Sequence, residues 1–290
     1  MLCNLINAFL LLDAEFGENQ ANLLWKPVLA GVYPFMKNKS LSEMLCSLVE
    51  RSLCNWENFS QDALTRCVEF CSGCGNLTKA LGQWRACCFD IVYDKAHDML
   101  TKNGCRLYLD AVASLAQKGL IWLGVPCSSW VPLCSSVSKR NALNGFLGDM
   151  NRLFVMTGNA QMVVTSIIMF LGALLGHCIT LEQPLGSCLP KVKPLSTVLT
   201  FFKLHKFVTY GGSFGGPSVK PLQLWGTHLV FKNLERERPD PNLFENTLAT
   251  RSGSSGFTGN PGLLAESAEY TPMFGAEVAK CYASVLSTTG

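Results

Sequence analysis

Three short segments carry side chains whose chemistry belongs together. Leu123-Gly124-Val125-Pro126-Cys127-Ser128-Ser129-Trp130 holds a cysteine behind a proline at the end of an apolar run. In open α/β sheets the carboxyl edge of the strands is where ligands bind, and a thiol placed there is a nucleophile when a positive neighbour or helix end favours the thiolate. The competing reading, a buried inert thiol, is common in a chain with 14 cysteines. Leu181-Glu182-Gln183-Pro184 sends a carboxylate out of a second apolar run, and a buried carboxylate without a partner is costly, so Glu182 calls for a ligand or a hydrogen-bonded role. Val68-Glu69-Phe70-Cys71-Ser72-Gly73-Cys74-Gly75-Asn76-Leu77 reads as a strand, a glycine turn and a helix, where backbone N–H groups can meet a ligand closely. Taken alone, such a turn is as readily a packing feature.

An acidic residue closes the next apolar run at Phe89-Asp90, about 20 residues on, where a ribose hydroxyl pair would take a carboxylate acceptor. Asp94 and Asp98 follow. Asp98 reads either as an acceptor for an adenine amino group or as a solvated loop aspartate.

These segments need a scaffold. From Cys67 onward, short apolar runs ending in Gly, Asp or Pro alternate with helix-length stretches, as expected of a parallel sheet with crossover helices. The runs are Cys67–Cys71, Ala86–Ile91, Leu120–Val125 and Cys178–Leu181. Residues 67–190 form this core. Residues 1–66 read as a helical extension, with a capping box at Ser40-Leu-Ser-Glu43 and apolar Leu41, Met44, Leu45, Leu48 and Val49 facing one side. Residues 191–238 read as a small β-rich lobe with strands at Phe207–Tyr210, Leu222–Trp225 and His228–Phe231. The Pro-, Gly- and Ser-rich stretch 239–262 reads as a linker, and within 263–290 a helix returns from about Phe274 to Leu286.

Charge is concentrated in one place. Residues 191–238 hold eight Lys/Arg against two Glu, a net +6 when the whole chain carries +3. The lobe, with Lys203, Lys206 and Lys220, is therefore either a surface for a polyanion such as nucleic acid or a solvated face.

Together the motifs resemble the carbon-5 DNA cytosine methyltransferases: Phe-x-Ser-Gly-x-Gly, an acidic strand end, Pro-Cys, then a strand glutamate. The resemblance covers roughly 67–190 and the terminal helix. It implies an α/β, Rossmann-like S-adenosylmethionine-dependent sheet with helices on both faces. By resemblance, S-adenosyl-L-methionine is cradled at Phe70, Gly73 and Gly75, with Asp90 at the ribose; Asn76, Asp98 and Pro126 are further candidate cofactor residues beside them. Cys127 matches the nucleophile on C6 of cytosine and Glu182 the group at N3, with Ser128 and Trp130 beside the base. The implied partner is nucleic acid, DNA rather than RNA, and the base must leave the stack to react. Tyr270-Thr-Pro-Met-Phe274-Gly275-Ala276-Glu277-Val278 is similar to the family's last motif, with alanine in place of its asparagine. Pro-Cys-Ser replaces Pro-Cys-Gln, Glu-Gln-Pro replaces Glu-Asn-Val, and no Gln-x-Arg-x-Arg segment follows. An Asn/Asp-Pro-Pro-aromatic tetrad, the mark of amino methyltransferases, does not occur.

Other classes are set aside by spacing. Cys71-Ser-Gly-Cys74 is half a zinc site without a second half, so no metal is expected. The length and core-rich composition argue for a reducing intracellular compartment, nucleus or cytoplasm, rather than a disulfide scaffold. Met1–Leu12 lacks a basic n-region and reads as a docked helix rather than a signal peptide. Met162–Leu181 has the length of a membrane span, but Gly176-His177 divides it into a helix and a β-branched run, which predicts a buried helix and strand rather than a membrane-associated protein.

Overall fold

In the computed structural model, which describes residues 64–244, 249–252, 256–259 and 267–287, all four apolar runs become neighbouring strands. They are β1 (Cys67–Phe70), β2 (Ala86–Phe89), β3 (Leu120–Leu123) and β4 (Cys178–Pro184). All pair in parallel. With β5 (His205–Tyr210) and β6 (Pro221–Gly226) they make a six-stranded mixed sheet in the order β2-β1-β3-β4-β6-β5. β6 runs antiparallel to both of its neighbours, β4 and β5. The helices are α1 (Asn76–Ala80), α2 (Lys102–Ala113), α3 (Ser135–Ser138), α4 (Leu153–Leu174), α5 (Lys193–Phe201) and α6 (Pro272–Ser287). Residues 1–63, with the capping box at Ser40, lie outside the described residues.

The period of two along each strand sorts the side chains into two cores. Val68, Phe70, Ile121, Leu123, Ile179 and Leu181 point to one face, where α2, α4 and α5 cover them. Cys67, Leu120, Trp122, Cys178, Phe207 and Leu224 point to the other, under Leu77 of α1, Phe274, Val278 and Tyr282 of α6, and Phe231 and Leu234. Glu69 and Glu182 share the parity of this second face, which places both carboxylates on the side of α1 and α6.

α4 explains the long apolar segment. By length and composition it is the one helix among the described residues that could cross a membrane, yet 67% of its most apolar window is buried. It lies so close to the sheet that a methyl group at Gly172 would meet the Ile121 side chain at 2.5 Å. A helix with most of its residues buried carries apolar side chains around most of its circumference for that reason. Gly176, with φ +75°, ends it before β4 begins.

Three expectations need correction. Residues 191–238 are not a separate lobe: β6 pairs along Thr180–Pro184 of β4 and β5 pairs with β6, extending the main sheet. An isolated two-stranded hairpin is marginal in water, and β4 would otherwise expose a bare edge. His228–Phe231 is no strand. Leu229–Leu234 forms a 3-10 helix, capped when His228 Nδ1 accepts from the Val230 N–H at 3.2 Å, and it buries Phe231 and Leu234, three residues apart. Within 239–262, Pro241–Leu243 is also 3-10, and β7 (Ala249–Ser252) pairs antiparallel with β8 (Gly256–Gly259), so the stretch carries structure of its own.

Candidate active site

The strand order reverses between β1 and β3, so their carboxyl ends diverge around a crevice. The loops leaving these two strands are the glycine turn and the Pro-Cys segment. Cys71, Gly73 and Gly75 have φ of +56°, +53° and +66°. The alternate left-handed residues curl the backbone tightly, and their N–H groups are taken up within the fold: Cys71 donates to the Phe89 carbonyl at 2.9 Å, Gly75 to the Ser72 carbonyl at 3.0 Å and Gly73 to Asp90. At Cys71, a residue with a Cβ, the conformation costs on the order of 1 kcal/mol. Asp90 holds the turn from the neighbouring strand end: Oδ2 accepts from the Gly73 N–H at 2.9 Å and Oδ1 from the Val92 N–H at 3.0 Å. Each oxygen keeps a lone pair for a ligand hydroxyl. A Cβ at Gly75 would meet the Tyr93 hydroxyl at 2.8 Å, so that side chain overlies the turn.

Beneath the turn, Glu69 is 1% exposed and accepts from both the Thr78 N–H at 2.8 Å and its hydroxyl at 2.6 Å, while Oε1 has no partner. Burial, opposed by the Thr78 hydrogen bonds, raises its carboxyl from 4.5 to about 7. A raised acid keeps its proton in the folded chain after the unfolded chain has lost it, so folding stability declines as pH rises from about 4.5 to 7 and levels off above. Glu69→Gln removes that decline. The variant should match wild type near pH 4.5 and exceed it by up to about 3 kcal/mol above pH 7; urea melts at the two pH values test this, and a pH-independent difference would refute it.

Cys127 and Glu182 come from the ends of the adjacent strands β3 and β4. Burial first, then the Glu182 carboxylate, push the half-buried Cys127 thiol up to about 11, while Lys220 acts in the opposite direction. The Glu182 carboxylate and the Lys220 ammonium are thus both near enough to act on the charge of the thiol. Lys220 Nζ donates to the Ser267 carbonyl at 2.5 Å. Glu182 is 7% exposed; its Oε2 accepts from the Tyr270 hydroxyl at 3.0 Å and its Oε1 is buried without a partner. Tyr270 in turn accepts from Trp122 Nε1 at 3.0 Å. Gln183, on the opposite face, donates to the Val125 carbonyl at 2.7 Å and so ties the end of β4 to the Pro126-Cys127 loop.

Several sequence-assigned residues are placed elsewhere. Phe70 is fully buried and stacks on Tyr108 at 4.5 Å, so its ring belongs to the core and only its backbone borders the crevice. Asn76 Nδ2 donates to the Tyr270 carbonyl at 2.8 Å and anchors the returning segment rather than facing the turn. β3 directly follows β2 in the chain, leaving no intervening strand whose end could present Asp98; its Oδ1 accepts from the Leu100 N–H at 3.0 Å, ahead of α2. Pro126 and Ser128 are exposed at the mouth beside Cys127. Trp130 is 1% exposed with the Arg140 guanidinium 3.3 Å above its ring, so it cannot stack on a base. Lys203 and Lys206 are exposed at the start of the edge strand β5, whereas Lys220 lies past its far end beside Cys127, so the three lysines do not form one surface.

Sequence reasoning missed Tyr270 and Arg140. Tyr270 stood in a recognised motif, but its hydroxyl function depends on the chain returning to β4. Arg140 is buried at 8% exposure; it donates to the carbonyls of Ser129, Phe146, Leu147 and Val155, to Asn159 Oδ1 and to Ser129 Oγ. Desolvation lowers it to about 10. Nothing in its neighbourhood in the sequence announces that role. Among the described residues no group of three His, Cys, Asp or Glu could hold a metal.

Compared with protein-family models, curated proteins and solved structures, the chain gives no match.

Proposed function

We propose that the chain is a divergent S-adenosylmethionine-dependent methyltransferase acting on cytosine in nucleic acid, DNA in preference to RNA. The observation that carries the reading is the convergence of Cys127 and Glu182 at the carboxyl edge of β3 and β4, beside a left-handed glycine turn held by Asp90 at the β1/β3 reversal. Asp90, with a lone pair left on each oxygen at the strand end, suits a ligand with ribose hydroxyls, as S-adenosylmethionine has. When bound, the cofactor supplies an electrophilic methyl group. Cys127 adds to C6 of the base, which makes C5 electron-rich, and Glu182 stabilises the charge that develops through N3. Lys220 is a cation whose charge favours the thiolate of Cys127.

The assay is transfer of labelled methyl from S-adenosylmethionine to mixed DNA and RNA, alongside calorimetry of cofactor binding. The reading expects incorporation at carbon 5 of cytosine, and expects Gly73→Val, which loads a branched side chain onto a left-handed position, to weaken cofactor binding by about tenfold or more. Binding without transfer would instead favour a non-catalytic descendant that binds cofactor or nucleic acid, a reading to which the raised Cys127 thiol lends support.

A further inference from the structure

The Trp122–Tyr270–Glu182 chain has a direction. An indole N–H only donates, so at 3.0 Å from Trp122 Nε1 the Tyr270 oxygen is an acceptor, and its own proton goes to Glu182 Oε2, also at 3.0 Å. The ring cannot swing away: it stacks on Phe274 at 5.1 Å and stands edge-on to Trp122 at 6.0 Å, and even a methyl group at Gly124 would lie 3.0 Å from its hydroxyl. Oε2 is thus committed as an acceptor, and Oε1 is the buried carboxylate atom left without a partner. We propose that Tyr270 is a positioning residue that reserves Glu182 Oε1 for a ring nitrogen and adjacent amino group of a pyrimidine base, so that any proton shared between Glu182 and the base resides on Oε1. This deepens the methyltransferase reading and rests on it for the identity of the base.

The test compares oligonucleotides carrying cytosine with ones in which N3 is replaced by C–H. Wild type should prefer cytosine by about 10- to 100-fold in kcat, the effect of losing one hydrogen bond to a charged group. Tyr270→Phe should lower kcat about tenfold or more, leave KM for S-adenosylmethionine within about twofold, and shrink the preference several-fold, because Oε2 is no longer engaged and either oxygen can serve. Unchanged kcat and preference would overturn the proposal.

A readout independent of turnover is the infrared carboxylate band of Glu182, isolated as the difference between the protein and its Glu182→Gln variant. It should shift in Tyr270→Phe and stay put in Tyr282→Phe, whose phenol bonds the Arg66 and Lys118 carbonyls instead. If Tyr270→Phe does not fold, Trp122→Phe, which frees the phenol to turn its proton elsewhere, should move the same band. An unmoved band overturns the relay. A moved band in a protein that transfers no methyl group upholds the relay and refutes the proposed reaction.

Discussion

Cys127→Ala should abolish methyl transfer to cytosine, with a loss on the order of a thousandfold or more, while S-adenosylmethionine binding stays within about twofold. In the proposed reaction the effect is large because removing the covalent nucleophile removes the step that activates C5. Selective cofactor retention follows from position: the thiol sits at the β3 edge, whereas the glycine turn and Asp90 belong to β1 and β2. With the thiol raised to about 11, the thiolate fraction near pH 8 is on the order of one in a thousand, so alkylation of Cys127 by iodoacetamide should speed up about tenfold per pH unit between pH 7 and 9. Rate assays and calorimetry on the variant, with peptide mapping of the alkylated protein, check both statements. Full activity in Cys127→Ala would end the nucleophile assignment.

Arg140→Met should be the most destabilising single change in the segment that follows Cys127. Six hydrogen bonds and the contact with Trp130 hold this guanidinium, and methionine keeps the volume but none of the donors. The carbonyls of Ser129, Phe146, Leu147 and Val155 would lose a buried charged donor, a cost of about 3–5 kcal/mol once partial rearrangement is allowed. For a chain of this size that is a fall in Tm of roughly 10 °C, measurable by calorimetry. Arg140→Lys should recover little, since an ammonium cannot fork toward acceptors in so many directions. A Tm unchanged within a degree would show that the loop is held by other contacts. Because Ser129 lies two residues from Cys127, the same variant should also blur the position of the thiol.

The contrast between these residues shows what a sequence discloses. Glu182 was legible because a carboxylate directly after an apolar run must be paired or used, and Cys127 because Pro-Cys closes another such run. The parallel strands were legible for the same local reason: apolar runs stopped by Gly, Asp or Pro. Partners were not legible. The strands around Phe207 and Leu222 were visible, but that β6 would cover the edge of β4 depends on which edge is open, and no local pattern states this. Trp130 reads in the sequence as a nucleic-acid contact because it follows the Pro-Cys motif; its burial under Arg140, ten residues further on, takes it out of reach of a base. Tyr270 had to be brought 88 residues back along the chain to reach Glu182. Side chains that organise a site through long-range hydrogen bonds leave little trace in spacing, whereas those that face the ligand sit at strand ends where spacing is informative.

The central claim, that Cys127 attacks a cytosine ring while Glu182 stabilises it, is tested most directly by trapping. In an oligonucleotide whose target cytosine carries fluorine at carbon 5, addition of the thiol and transfer of the methyl group can occur, but no proton remains at carbon 5 to be eliminated, so the adduct persists. Incubation with S-adenosylmethionine, followed by denaturing electrophoresis and mass spectrometry of the digested complex, should give a denaturation-resistant species bearing one methyl group and one nucleotide on the peptide containing Cys127, and none with Cys127→Ala. No adduct under conditions in which both cofactor and oligonucleotide bind, or an adduct on another cysteine, would contradict the account.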